Sequence, residues 1–306
     1  MNNTNFSNKK ECFPPTNEIS KKKDVIFFQD LDTFYLFALL HNKETQNYQQ
    51  KNKNKRKQTT PMSLTIGILF VLIIFFIFII TVESAAHKKL KQSKPEFRSP
   101  VLFLFAHADD DAMFFIPTIE YLKKNLIEFH MHLFSSNPIR RQEFNQASKL
   151  YKCENITISD ESKFIDGMNE NWDIMEIAEE VKQIVFEKSI QTIITFDKDG
   201  ISGHLNHRKI SEALNLIHNM CPHVQILTLK THNKVRKFVH FVDCIHYLLD
   251  KKMLNENENE VFTVVDTASH ALTAMNCYPS QLNWYRYLYL FFSSYCKVNL
   301  LEEKVY

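Results

Sequence analysis

A chain of 306 residues with 37 Lys and Arg against 35 Asp and Glu carries a formal net charge of +2, so no basic field points to a nucleic-acid partner. The length is ample for a sizeable buried core, in one large domain or two small ones. Six scattered cysteines, Cys12, Cys153, Cys221, Cys244, Cys277 and Cys296, form no CxxC pair, which argues against a zinc ribbon or a disulfide framework and for reduced thiols in a cytosol-facing domain.

Residues 1–62 are rich in Asn, Lys, Gln and Thr and end near the basic run Lys51–Lys57, a composition that predicts low complexity and little order. Within them Phe27-Phe28-Gln29-Asp30-Leu31-Asp32-Thr33 is faintly similar to a phosphatase aspartate pair, but no domain of adequate length surrounds it, and we read it as coincidence. From Leu64 to Val82 nineteen residues pass without a charge, which predicts a transmembrane helix over 63–83. The run is too long and too far from the amino terminus for a cleaved signal peptide, and apolar on too many faces for a buried soluble helix. Basic residues flank it on both sides, Lys51 to Lys57 before and Lys88, Lys89, Lys91, Lys94 and Arg98 after, so charge alone assigns no orientation. Residues 84–98 read as a basic linker to a domain at 99–306.

In that domain strand-like runs alternate with amphipathic stretches. Strands are predicted at Val101–Phe105, Glu128–Phe134 (alternating), Asn155–Ser159, Gln191–Phe196 and Val224–Leu229, and helices at Ala112–Asn125 despite Pro117, Arg140–Leu150, Ile174–Lys188 and Arg208–His218. The order predicts an α/β fold, a Rossmann-like, mostly parallel sheet with helices on both faces, preceded by one transmembrane helix. The aromatic segment Trp284–Phe292 reads as a core helix or strand, with a membrane-interface role as the alternative.

Two loops concentrate the chemistry. Leu102-Phe103-Leu104-Phe105-Ala106 stops at His107-Ala108-Asp109-Asp110-Asp111. His107 and Asp110, three apart in a turn, can close on one metal ion and leave Asp109 beside it as an unligated base, while Asp111 reads as the cap of the next helix. The second loop, Asp197 to His207, holds two of the chain's four glycines, which predicts positive φ or close approach at Gly200 and Gly203. It presents His204 and His207, with Asn206 as the expected helix cap. Both loops leave the carboxyl end of a buried strand, so a parallel sheet brings them to one edge. His107, Asp110 and His207 would then be three protein ligands around an open position, the pattern of a catalytic zinc site, although another divalent metal would fit.

These residues resemble the LmbE-like zinc-dependent de-N-acetylases. The likeness extends from about Pro100 to Leu300 and includes Ala106 to Asp111, Ala112-Met113-Phe114-Phe115, Phe196-Asp197 to His207, Leu227-Thr228-Leu229, Ser280-Gln281-Leu282 and Trp284. Within the family it is similar to the eukaryotic branch that acts on N-acetylglucosaminyl-phosphatidylinositol in glycosylphosphatidylinositol-anchor synthesis. The resemblance implies zinc bound by His107, Asp110 and His207, Asp109 as general base, and His204 supporting the oxyanion or protonating the leaving amine. It also implies a substrate contact at Arg140, paired with Glu143 three residues on. The partners implied are the lipid-linked substrate and the membrane, with single-pass residence in the endoplasmic reticulum and a cytosolic catalytic domain. The family usually has Pro where Ala108 stands, Glu at Asp111 and His at Tyr278, and the loop before Arg140 is shorter here. Other readings are a de-N-acetylase of a different amino-sugar conjugate, or an inert membrane-anchored interaction module.

Overall fold

The computed structural model describes residues 62–92, 95–167, 170–250 and 260–306. The phosphatase-like stretch and the low-complexity reading of residues 1–61 lie outside them. Contacts divide the chain into two units, 1–66 and 67–306.

The uncharged run forms a 29-residue helix, α1 (Met62–Leu90). Its Leu64–Leu90 segment, with a mean hydropathy of 3.2 in its most apolar window, is long and apolar enough to cross a membrane. The helix does not stop at Val82, so the first residues of the expected linker are helical. Ala86, His87 and Leu90 are buried, and Leu90 packs with Tyr247, Phe262, Val298 and Leu300.

The first five strands are β1 (Val101–His107), β2 (Phe129–Ser135), β3 (Ile156–Ile158), β4 (Thr192–Phe196) and β5 (Gln225–Leu229), followed by β6 (Glu260–Val264) and β7 (Val298–Glu303). They form one sheet in the order β3-β2-β1-β4-β5-β7-β6. β1 pairs in parallel with both β2 and β4, and only β7 runs antiparallel to its neighbours β5 and β6. The expected fold is thus present, with a mixed edge that the sequence reading does not place. Every residue of β1, β2 and β4 is buried. The alternation read in Glu128–Phe134 implies one wet face, but helices cover the sheet and His130 and His132 on β2 are buried.

The helix expected at Ala112–Asn125 begins instead as a π-helical turn, Asp111–Phe115, which continues into α2 (Ile116–Lys124). Pro117 falls in the first turn of α2, where its missing N–H is not needed. Next come α3 (Pro138–Tyr151), α4 (Ile174–Lys188), the short turn α5 (Gly200–Gly203) and α6 (Leu205–Met220). α2 packs with α3 and α4 with α6, the two layers that right-handed crossovers place on opposite faces. Phe103 and Phe105 stack on each other and join Phe115, Phe144 and Phe196 through edge-on contacts, an aromatic core between β1, β4 and the first layer. After β5 lie α7 (Lys234–Phe238), α8 (His240–Leu249), α9 (Ser269–Met275) and α10 (Trp284–Phe292). α10 is not the core element its composition suggests: only Leu290 is buried, while Trp284 is 75% and Phe291 68% exposed.

Candidate active site

The chain leaves β1 toward β2 on one side, and leaves β4 toward β5 on the other, so a crevice opens between the loops that follow these two adjacent strands. His107 ends β1. Its backbone N–H donates to Asp110 Oδ2 at 2.8 Å, which folds the acidic turn back over the strand end. Asp109, between them, has φ 127°, a conformation that costs a non-glycine residue energy and is held only where surroundings over-determine it.

The opposite loop is knotted by Asp197, whose carboxylate accepts from the backbone N–H of Asp199, Gly200 and Thr231 and from the Thr231 hydroxyl. Gly200 and Gly203 both have positive φ, 63° and 78°, as the scarcity of glycine suggests. At Gly200 close approach matters too, because a Cβ there would lie 2.9 Å from His207 Cβ. The Gly200 carbonyl lies 3.0 Å from His207 Nδ1 and the ring stacks on Phe196, with centroids 4.0 Å apart. A proton on Nδ1, donated to that carbonyl, leaves the Nε2 lone pair aimed at the centre.

There His207 Nε2 lies 3.2 Å from both His107 Nδ1 and Asp110 Oδ1. Asp110 Oδ2 is 3.8 Å from His107 Nδ1. His204 caps α6, accepting from the Asn206 backbone N–H, and its ring centroid is 4.7 Å from that of His107. One nitrogen of each of His107, His204 and His207 falls within 4.8 Å of the others. Buried imidazoles converging beside a carboxylate are a donor set for a metal ion. The expected cap, Asn206, is fully buried instead, its amide placed to donate to the Gly167 carbonyl and accept from Trp172 Nε1.

Burial, then the adjacent Asp110 carboxylate, pushes Asp109 up to about 7, against the pull of Arg286. Burial also raises Asp110, but His207 and then His107 more than offset it and hold this carboxyl below its usual range. The two neighbouring carboxyls thus have oppositely shifted proton affinities. Burial disfavours the charged form of His107, but Asp166, Asp110 and Asp109 together raise it. Burial and the two neighbouring imidazoles lower His204.

All five central residues therefore meet, and Arg140 joins at one remove. Its guanidinium holds Asp166 Oδ2 at 2.8 Å and Gln281 at 3.0 Å, and Asp166 Oδ1 lies 3.2 Å from His107 Nε2. Glu143 fixes the backbone N–H and hydroxyl of Ser280, next to Gln281. Asp166 and Arg286 are not among the residues expected here from the sequence. The latter leaves α10 to hold Asp109 Oδ2 at 2.9 Å. Each had a faint signal: Asp166 precedes one of the four glycines, and Arg286 is the single charge in Trp284–Phe292.

A family model for GlcNAc-PI de-N-acetylases matches residues 102–217. A probable N-acetylglucosaminyl-phosphatidylinositol de-N-acetylase of Schizosaccharomyces pombe is 30% identical over 234 residues, 73% of this chain and 94% of that one. The chain belongs to this family. The N-acetylglucosaminyl-phosphatidylinositol de-N-acetylase of Bos taurus is 32% identical over 215 residues, 67% of this chain and 83% of that one. Among solved structures, N,N'-diacetylchitobiose deacetylase from Pyrococcus horikoshii matches with 14% identity and a TM-score of 0.43, over 76% of this chain and 86% of that one.

Two departures from the family pattern meet in space. Asp111 is no cap. It is fully buried and accepts from Tyr151 Oη at 2.6 Å and Tyr278 Oη at 2.8 Å. Here the short acid is reached by the long side chains of two hydroxyl donors. Burial pushes Asp111 up to about 6 against these two donors.

Proposed function

We propose that this protein removes the N-acetyl group of N-acetylglucosaminyl-phosphatidylinositol, giving glucosaminyl-phosphatidylinositol and acetate, in glycosylphosphatidylinositol-anchor synthesis. The supporting observation is the meeting of His107, Asp110, His204 and His207 at one sheet edge, with Asp109 beside them. Two imidazole nitrogens and a carboxylate oxygen suit Zn2+, which we assign to His107, Asp110 and His207. Bound there, such an ion supplies Lewis-acid polarisation of an amide carbonyl and makes water more acidic near neutral pH.

The chain's own groups do the rest. Asp109 takes the proton of the attacking water, its carboxylate made more basic by burial and by Asp110, with Arg286 fixing its direction. His204 is half-buried and accepts from the Asn206 N–H on Nδ1, so its proton sits on Nε2, free for the developing oxyanion or the departing amine. The proton held by Asp109 is also available to the amine nitrogen as the C–N bond breaks, so the amine leaves neutral. Arg140 commits part of its fork to Asp166 and Gln281 and offers the remainder to the substrate.

A membrane-spanning α1 confines the enzyme to the plane of its lipid substrate, which raises effective concentration without new contacts. We place α10 on the same membrane face: Trp284, Tyr285, Tyr287, Leu288, Phe291 and Phe292 are exposed, and aromatic side chains of this kind favour the lipid–water interface. We assign the protein to the endoplasmic reticulum with its domain in the cytosol. The five described cysteines are all unpaired, which supports that side. Asn155, exposed in an Asn-Ile-Thr acceptor, tests it, because a lumenal domain would show a sugar-dependent mass shift.

The deciding assay is acetate release from N-acetylglucosaminyl-phosphatidylinositol by detergent-solubilised full-length protein. Chelation should abolish it and added zinc restore it. Release from a soluble amino-sugar oligosaccharide but not from the lipid would move the protein to another substrate.

A further inference from the structure

A second cluster of ligand-bearing side chains lies at the joint between α1 and the domain, apart from the site above. His87 comes from the end of α1, and His240 and Cys244, four apart on one face of α8, come from the domain. All three are buried, at 5%, 3% and 0% exposure. His240 Nε2 is 2.9 Å from His87 Nε2 and 3.2 Å from Cys244 Sγ, and the three ligand atoms fall within 4.8 Å of one another.

The hydrogen bonds behind the cluster fix the state of one ring. The Ser294 hydroxyl donates to Asp243, so its oxygen is left to accept, and His240 Nδ1 lies 3.2 Å from it. The proton of His240 therefore sits on Nδ1, and the Nε2 lone pair faces His87 and Cys244. This carboxylate–hydroxyl–imidazole chain does for His240 what an outer partner does for a metal-bound histidine. Asp243 is held in turn by Arg236 at 2.6 Å. On the other side, His87 Nδ1 points toward Asp266, 4.0 Å away, which turns its Nε2 inward as well. Burial, then Glu83 and Asp243 against Lys297, push the Cys244 thiol up, so without a bound cation it stays protonated.

We propose that His87, His240 and Cys244 form a second metal site, for Zn2+ or another thiolate-binding divalent ion, that clamps the end of the membrane helix onto the catalytic domain. One thiolate and two imidazoles are a sufficient set for such an ion, with water completing the coordination. Binding converts the Cys244 thiol to a metal-bound thiolate and releases its proton to solvent. The joint is also held by the Lys297–Glu83 pair at 3.1 Å, the Lys89 Nζ bond to the Tyr247 carbonyl at 2.6 Å, the Lys91–Asp266 pair, the Phe78–Phe241 ring contact and the small apolar cluster around Leu90.

The test uses full-length protein in detergent, with metal content measured and Co2+ exchanged in as a spectroscopic probe. The first site contains no sulfur, so a thiolate-to-cobalt charge-transfer band reports only the second. Wild type should bind two equivalents and show the band. His207→Ala should lose one equivalent and keep the band, and Cys244→Ser should lose one equivalent and the band together. The wild-type and His207→Ala arms read the cluster without altering it, so poor folding of Cys244→Ser would not shelter the idea. No band in those two proteins, or a band that persists in Cys244→Ser, overturns the proposal.

Discussion

Asp109 combines a positive φ of 127°, a buried carboxylate and an Arg286 clamp at 2.9 Å, the setting that the proposed role of base beside, and not on, the metal asks for. Asp109→Asn keeps the shape and one acceptor oxygen but takes no proton. It should retain its metal while turnover falls by about 10²- to 10⁴-fold, read by metal analysis alongside acetate release. Full activity would remove Asp109 as base. The Asp111–Tyr278 contact makes a different prediction at the same scale. Asp111→Glu pushes a longer acid into a closed site, and Tyr278→His withdraws one donor from it, so each alone should cost about 1–3 kcal/mol. In the double variant the longer acid reaches the shorter imidazole donor, so it should cost less than the two singles added, measured from urea midpoints. Simple additivity would mean that the two departures are unrelated. Gly200 faces a stricter constraint, because a methyl group there meets His207 Cβ at 2.9 Å in a backbone that disfavours any side chain. Gly200→Ala should therefore weaken metal retention more than a Gly203→Ala control, whose added methyl meets open space.

The elements that build the site were largely legible in the sequence, because β1 and β4 are short uncharged runs that each end at a cluster of polar residues, and parallel winding sends both ends to one edge. What could not be read depends on distant segments. A carboxylate before an apolar run ordinarily reads as a helix cap, and nothing nearby in the sequence shows that Tyr151 and Tyr278 reach Asp111 from 40 and 167 residues away. Asp166 and Arg286 likewise join the site only through tertiary contacts. α10 misleads for another reason: its aromatic composition suggests burial, yet the helix turns Arg286 inward and most of its rings outward. Tyr289 is an inward ring, lying 6.0 Å from Phe238 on α7, where exposed Val235 and Phe238 extend the apolar surface beside Lys234 and Lys237. If that face rests on lipid, Trp284 should be quenched by lipids spin-labelled near the headgroup in Trp172→Phe protein reconstituted into bilayer discs. Phe291→Ala should lower turnover of bilayer-embedded substrate and spare a short-chain soluble analogue. An unquenched Trp284 would return α10 to another role.

At the scale of the whole molecule, a sheet covered on both faces buries polar groups that an amphipathic sheet would leave wet, and this gives stability a pH dependence. His132, in the middle of β2, is 1% exposed. The Ser159 hydroxyl gives its proton to Glu180, so it accepts from His132 Nε2 at 3.2 Å, while Thr157 Oγ1 lies 2.8 Å from Nδ1. Both ring nitrogens are thus satisfied in the neutral form, and burial pushes this imidazole down to about 3. His232, buried against Tyr295, is pushed down to about 4 by burial. An unfolded histidine titrates near 6.5, so below that pH the unfolded chain takes up protons that the folded one refuses. Stability due to each group is complete above about pH 6.5 and declines by roughly 1.4 kcal/mol per pH unit as pH falls toward the folded value. His132→Gln, which keeps an amide donor and acceptor but cannot titrate, should show a shallower loss of stability between pH 6 and pH 5 by about that amount, measured by urea unfolding of full-length protein in detergent. Equal slopes for the two proteins would mean that His132 is protonated in the folded state, and that the covered sheet tolerates a charge at its centre.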